Sequence, residues 1–134
     1  MVKTYLIGEI GINHNGDINL AKKIIVQAKK AGFDSVKFQK RNPDVCVPEH
    51  QKEVMRDTPW GRMTYIDYKY KVELGKQEYD QIDAYSRQKP VAWSASVWDL
   101  NSLDFLSQYY LPFIQIPSAM MTNTDLVADS AKTK

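Results

Sequence analysis

The sequence predicts an α/β protein built on a parallel sheet, and three observations predict it. Short apolar runs alternate with amphipathic stretches at helical spacing along the whole chain. The strand candidates are nearly continuous apolar runs, as in parallel strands covered on both faces. Each of them ends in polar groups: Glu9; Lys37 and Gln39; Ser94 and Ser96; Gln115 and Ser118. Parallel strands share a direction, so these groups fall on one rim. In a (β/α)8 barrel that rim is the active-site face. Open flavodoxin-like sheets obey the same strand-end rule, so the pattern alone leaves both architectures open.

The first strand lies within Thr4 to Asp17, TYLIGEIGINHNGD. Tyr5, Leu6, Ile7 and Ile10 are strand formers, and burial on both faces is expected of them. Glu9 closes the run. A charge there is costly to bury, so it reads either as a solvated loop acid or as a catalytic carboxylate. A loop rich in Gly and Asn follows. Asp17 suits an N-cap, its carboxylate accepting from first-turn amides. A helix is expected from Asp17 to Ala31, with Leu20, Ile24, Ala28 and Ala31 on one stripe. Lys22, Lys23, Lys29 and Lys30 face water, and Gly32 supplies the stop.

The second strand is Ser35 to Gln39, SVKFQ. Val36 and Phe38 point one way and Lys37 and Gln39 the other. In a two-layer sheet Lys37 could face water. In a strand covered by helices it would face a barrel interior or a ligand. The segment Lys40 to Thr64 is long and rich in Pro, which marks a functional or disordered loop. Within it Glu49 to Arg56 is expected as a short helix and TPWG (Thr58 to Gly61) as a turn. Tyr65, Tyr68 and Tyr70 begin a helix reaching Leu74.

The next helix runs from Lys76 to Lys89 with Tyr79, Ile82, Tyr85 and Ser86 inward, and Pro90 ends it. The third strand is Val91 to Ser96. Asp99 or Asn101 caps a helix carrying Leu100, Leu103, Leu106 and Tyr110. The fourth strand is Pro112 to Ile116. TNTD (Thr122 to Asp125) resembles a capping box and opens a helix with Leu126, Val127 and Ala131.

Composition narrows the function. The 134 residues suffice for a single domain, 1–134, with a real core. A net charge of +2, with no basic run interleaved with aromatics, argues against nucleic acid. No apolar run approaches the roughly 18 residues of a membrane span. The N-terminus carries no cleavage-site pattern, and the one cysteine, Cys46, fits a reducing cytoplasm.

Four motifs carry a resemblance: EIGINHNGD (Glu9 to Asp17), VKFQK (Val36 to Lys40), TPWGRMTY (Thr58 to Tyr65) and IPSA (Ile116 to Ala119). Together they resemble the N-acetylneuraminate (sialic acid) synthases. The resemblance implies a TIM-barrel-type α/β fold, here the first four β/α units of a (β/α)8 barrel. It implies condensation of phosphoenolpyruvate with an N-acetylated hexose such as N-acetylmannosamine. It also implies a divalent metal, Mn²⁺ or Mg²⁺, that would polarise the sugar carbonyl as a Lewis acid. Motif by motif, Glu9 matches the active-site acid, Lys37 a lysine that binds phosphoenolpyruvate, and Gln39 a contact to the acceptor sugar. Ser96 and Ser118 match hydroxyls that meet phosphoenolpyruvate. Gln115 stands where relatives usually carry a second Lys, and Met120 where they carry an acid. The metal-binding His pair of relatives has no counterpart here, so no metal ligand is assigned. The expected partners are the two substrates and either further copies of the chain or a missing barrel half. Two other readings remain: a Schiff-base aldolase using Lys37, and a non-catalytic binding or assembly module.

Overall fold

A computed structural model describes residues 3–133. Its centre is a three-stranded parallel sheet. Strand β1 (Ile7–Gly11) pairs with β2 (Ser35–Lys40), and β2 pairs with a later strand at Ala92–Val97. Between β1 and β2 runs α1 (Ile18–Lys30), capped as expected by Asp17, whose carboxylate accepts from the Asn19 amide at 2.7 Å. Ala21 and Ile25 are its fully buried residues.

The insertion is ordered rather than loop-like. It holds α2 (Pro43–Cys46), α3 (Glu49–Lys52) and an antiparallel hairpin of β3 (Met55–Thr58) and β4 (Gly61–Thr64). The helix expected through Arg56 therefore stops at Lys52, and Arg56 lies in a strand. TPWG is the hairpin turn: Thr58 Oγ1 accepts from the Trp60 amide at 3.2 Å and donates to the Gly61 carbonyl at 2.6 Å. Then come α4 (Tyr65–Val72) and α5 (Lys76–Gln88). The remaining elements are β5 (Ala92–Val97), α6 (Leu100–Ser107), a 3₁₀ turn (Ser118–Met120) and α7 (Thr124–Lys132).

One sheet face holds the core. Val36 and Phe38 are fully buried there, with Trp93, Ala95 and Val97 beside them on β5. Tyr79 and Ile82 of α5, Ile25 of α1 and Leu103 and Leu106 of α6 close over them. The Phe38 and Trp93 rings meet edge-to-face at 6.4 Å, and Tyr79 reaches Trp93 at 5.5 Å. Burial of each such aromatic contributes roughly 1.5–3 kcal/mol. The other face carries the alternate residues of the same strands, and toward their C-terminal ends these are polar: Glu9, Lys37, Gln39, Ser94 and Ser96.

Several expectations need correction. Tyr5, Leu6 and Ile7 are 52, 45 and 44% exposed: Tyr5 and Leu6 precede β1, and among the described residues β1 is a sheet edge paired with β2 alone. The fourth strand does not form as a strand. Residues 112–116 join the sheet through one parallel bridge, Gln115 to Ser96, where the Val97 amide donates to the Gln115 carbonyl at 3.0 Å. Pro112 opens this stretch and Pro117 follows it, and neither has an N–H to extend a ladder. Tyr110 is 93% exposed and lies beyond the end of α6, which Asp99 caps through the Ser102 amide at 2.7 Å. The cap of α7 is Asn123, not Thr122, and it accepts from the Leu126 amide at 3.1 Å.

The loop after β1 is pinned against α4. Gly16 has φ +72, and a Cβ placed on it would lie 2.3 Å from the Lys71 carbonyl oxygen. Gly16→Ala is therefore expected to destabilise the protein by about 2 kcal/mol. A thermal melt showing an unchanged midpoint would contradict this.

Candidate active site

The polar sheet face assembles residues from three strands. Glu9 and Lys37 are register partners on β1 and β2, and their side chains form an ion pair. Lys37 Nζ also donates to Ser96 Oγ of β5 at 2.6 Å. The Lys37 side chain is 7% exposed and that of Glu9 is 49% exposed, so the acid screens the amine at the mouth. An ammonium has three donors. Glu9 and Ser96 engage two of them. Ser94, on the same face of β5, donates to the Phe113 carbonyl and is thereby committed to holding residues 112–116.

Gln39 lies two residues beyond Lys37 on the same face. A Cβ on Gly11 would sit 3.2 Å from Glu9 Oε1 and 3.3 Å from Gln39 Nε2, so both side chains fold over that residue. Gly11 also has φ +56, a conformation that favours glycine. The remaining candidates stand apart. Gln115 touches the set only through its backbone, and its side chain is exposed. Ser118 is exposed on the 3₁₀ turn. Among the described residues it has no hydrogen bond to Glu9, Lys37 or Ser96. So Glu9, Lys37 and Ser96 are in contact, Gln39 adjoins them, and Ser118 does not.

Two residues that the sequence did not single out complete the end of β2. Arg41 is buried and Glu73 is partly buried, its side chain 9% exposed, and Arg41 Nε lies 2.8 Å from Glu73 Oε1. The guanidinium carbon lies over the Trp98 ring, 4.6 Å from its centroid, and Nη2 donates to Gln39 Oε1. Lys40 Nζ is 3.6 Å from the other Glu73 oxygen and donates to the Leu74 carbonyl at 3.1 Å. Burial pushes Glu73 above the usual carboxylate range, and Arg41 and Lys40 pull the other way. The signal was present: Lys37, Gln39 and Arg41 continue one period-two series past the strand. A cavity of about 410 Å³ beside this network is lined by Lys40, Arg41, Glu73 and Phe105, and Lys37 does not reach it.

His14 is structural. It is 2% exposed, its ring lies 5.9 Å from Phe38, and Nδ1 accepts the Gly16 amide at 3.0 Å. Burial lowers its pKa, against a smaller raising effect of a backbone hydrogen bond with Gly11. A folded pKa below the unfolded one gives stability that is present above the ordinary value of 6.5 and is lost as pH falls. Melting midpoints are expected to drop below about pH 6.5, and His14→Gln to flatten that drop. Cys46 donates to Asp99 Oδ2 at 3.0 Å, and its thiol is pushed up to about 12, mainly by burial. It is no nucleophile near neutrality. Among the described residues no three His, Cys, Asp or Glu side chains group to hold a metal ion. The residues present do not fit the divalent metal that the resemblance implies. No described helix is long and apolar enough to cross a membrane.

A parallel sheet with helices on one face and an acid–amine–hydroxyl set on the other defines an α/β protein suited to holding a small anion. The chain belongs to the NeuB family, whose model matches residues 24–134. It is 40% identical over 129 residues to an N-acetylneuraminate-9-phosphate synthase of Drosophila melanogaster, covering 95% of this chain and 34% of that protein. It is 33% identical over 134 residues to an N,N'-diacetyllegionaminic acid synthase of Campylobacter jejuni, covering 98% of this chain and 40% of that one. The crystal structure of an N-acetylneuraminic acid (sialic acid) synthetase from Leptospira borgpetersenii superposes with TM-score 0.84 at 25% identity, covering 98% of this chain and 42% of that chain. The chain thus spans well under half the length of these relatives. The family expected from the motifs is the family found, and the α/β fold is that of its solved members.

Proposed function

We propose that this chain supplies part of the active site of a sialic acid synthase-like enzyme, which condenses phosphoenolpyruvate with an N-acetylated hexose to give a nonulosonic acid and phosphate. The observation that carries the reading is the buried Lys37 ammonium, held between Glu9 and Ser96 with a donor to spare. Phosphoenolpyruvate carries a carboxylate and a phosphate, and a fixed cation with flanking hydroxyls suits both. Lys37 and Ser96 would bind it. Ser118 would add a second hydroxyl and Gln115 an amide where relatives use an amine. Gln39 would contact the acceptor sugar.

The enol carbon attacks the aldehyde carbon, forming the new carbon–carbon bond as the carbonyl π pair moves onto the aldehyde oxygen. That oxygen becomes a hydroxyl, its proton balanced by the one the added water gives up. Water adds to the resulting oxocarbenium carbon, and the bond to the phosphate oxygen then breaks. Glu9, half exposed at the mouth, would orient that water or take its proton. A divalent cation, Mn²⁺ or Mg²⁺, belongs to the proposal, with ligands from outside this chain. The steps assigned to these residues do not pass through it. The rest of a TIM barrel, or further copies of the chain, would complete the site, and the enzyme would work in the cytoplasm.

The test is calorimetric titration with phosphoenolpyruvate, with and without Mn²⁺, on this chain and on a version extended to the length of its relatives. Mass spectrometry then follows nonulosonic acid formation once N-acetylmannosamine is added. An extended version that releases no phosphate under these conditions overturns the reading. Borohydride trapping of an adduct on Lys37 would move it to Schiff-base chemistry.

A further inference from the structure

We infer that Arg41 is a positioning residue for the acceptor sugar, acting by fixing which end of the Gln39 side chain faces the site. The inference rests on the condensation reading. A guanidinium can only donate. Its contact with Gln39 therefore engages the amide oxygen, Oε1. The amide nitrogen is left on the opposite side, over Gly11 and beside Glu9. There its two N–H groups point Gln39 at an oxygen acceptor, of the kind an N-acetyl carbonyl or sugar hydroxyl presents. An unanchored Gln could turn over and offer an oxygen instead.

Arg41 is itself held on three sides. Its side chain is 5% exposed, Nε faces Glu73 at 2.8 Å, and Cζ lies over the Trp98 ring, 4.6 Å from its centroid. The fork matters: the guanidinium pairs its charge with Glu73 on the Nε side while Nη2 donates to Gln39, a division that a single ammonium on a flexible stem does not reproduce. The anchor also crosses the molecule. Gln39 and Arg41 come from the end of β2, Trp98 follows β5, and Glu73 follows α4. The amide orientation is thus set by three segments at once.

Two variants separate this role from a merely structural one. Arg41→Lys keeps a buried cation for Glu73 but loses the fork. Gln39→Glu keeps a partner for Arg41 but removes the donors. Steady-state kinetics on the condensing protein are expected to show KM for N-acetylmannosamine rising about tenfold in each. KM for phosphoenolpyruvate should stay within about twofold, and the double variant should lose no more than either single one. Folding of each variant is checked by circular dichroism. An Arg41→Lys protein with unchanged acceptor KM, or with both KM values raised together, overturns the proposal. A protein in which no version condenses the substrates strikes the condensation reading first and this inference with it.

Discussion

Lys37→Met is expected to weaken phosphoenolpyruvate binding by roughly 10- to 150-fold, the loss of one charge-assisted contact to an anion. The fold should survive. Met matches the length of the lysine stem, and at a side chain only 7% exposed it fills the space without a charge to desolvate. Glu9, half exposed, can turn to water once its partner is gone. Lys37→Arg is expected not to restore binding, because a planar fork cannot occupy the point between Glu9 and Ser96. Calorimetry with phosphoenolpyruvate measures the loss, and a melt on the same samples checks the fold. Unchanged affinity in Lys37→Met would remove the cation from the site.

Arg41→Met is expected to carry the largest stability cost, roughly 3 kcal/mol or more. It leaves the Glu73 carboxylate, 9% exposed, with Lys40 at 3.6 Å as its remaining nearby cation among the described residues and the backbone amide of residue 41 donating at 3.4 Å. Chemical denaturation reads the change. The cost should depend on pH in a defined direction. Burial already raises Glu73, and loss of Arg41 removes a group that lowers it. A folded pKa above the unfolded value gives stability that is present below the unfolded pKa and is lost as pH rises through the folded one. The variant should therefore lose less relative to the parent at pH 5 than at pH 8. A pH-independent difference would mean that Glu73 does not carry the unpaired charge.

Local signals were legible where local physics decides. Asp17 caps its helix because an N-cap needs only its own side chain and the next turn. Lys37, Gln39 and Ser96 were readable because a strand's period of two places alternate residues on one face. What was hidden depends on neighbours far along the chain. Tyr5 to Ile7 read as buried, but an apolar run does not reveal whether another strand lies alongside. Residues 112–116 show the same limit: PFIQI has strand composition, yet it meets the sheet at a single bridge. The hairpin at Met55–Thr64 was missed because Arg56, Asp57 and Arg62 interrupt any apolar alternation and its turn, TPWG, was read without its strands. Arg41 escaped notice because its partners, Glu73 and Trp98, lie in other loops.

The middle position of β2 has a consequence for how this site can change. Lys37, Gln39 and Arg41 all hang from one short stretch of chain, hydrogen-bonded on both sides between β1 and β5. Deleting a single residue ahead of Ser35 would slide that stretch by one step and swap its two sides. The amine, the amide and the guanidinium would all turn into the oily interior together, and Val36 and Phe38 would take their place. The site can be retuned by exchanging side chains but not by altering spacing, so length changes there should be all-or-none.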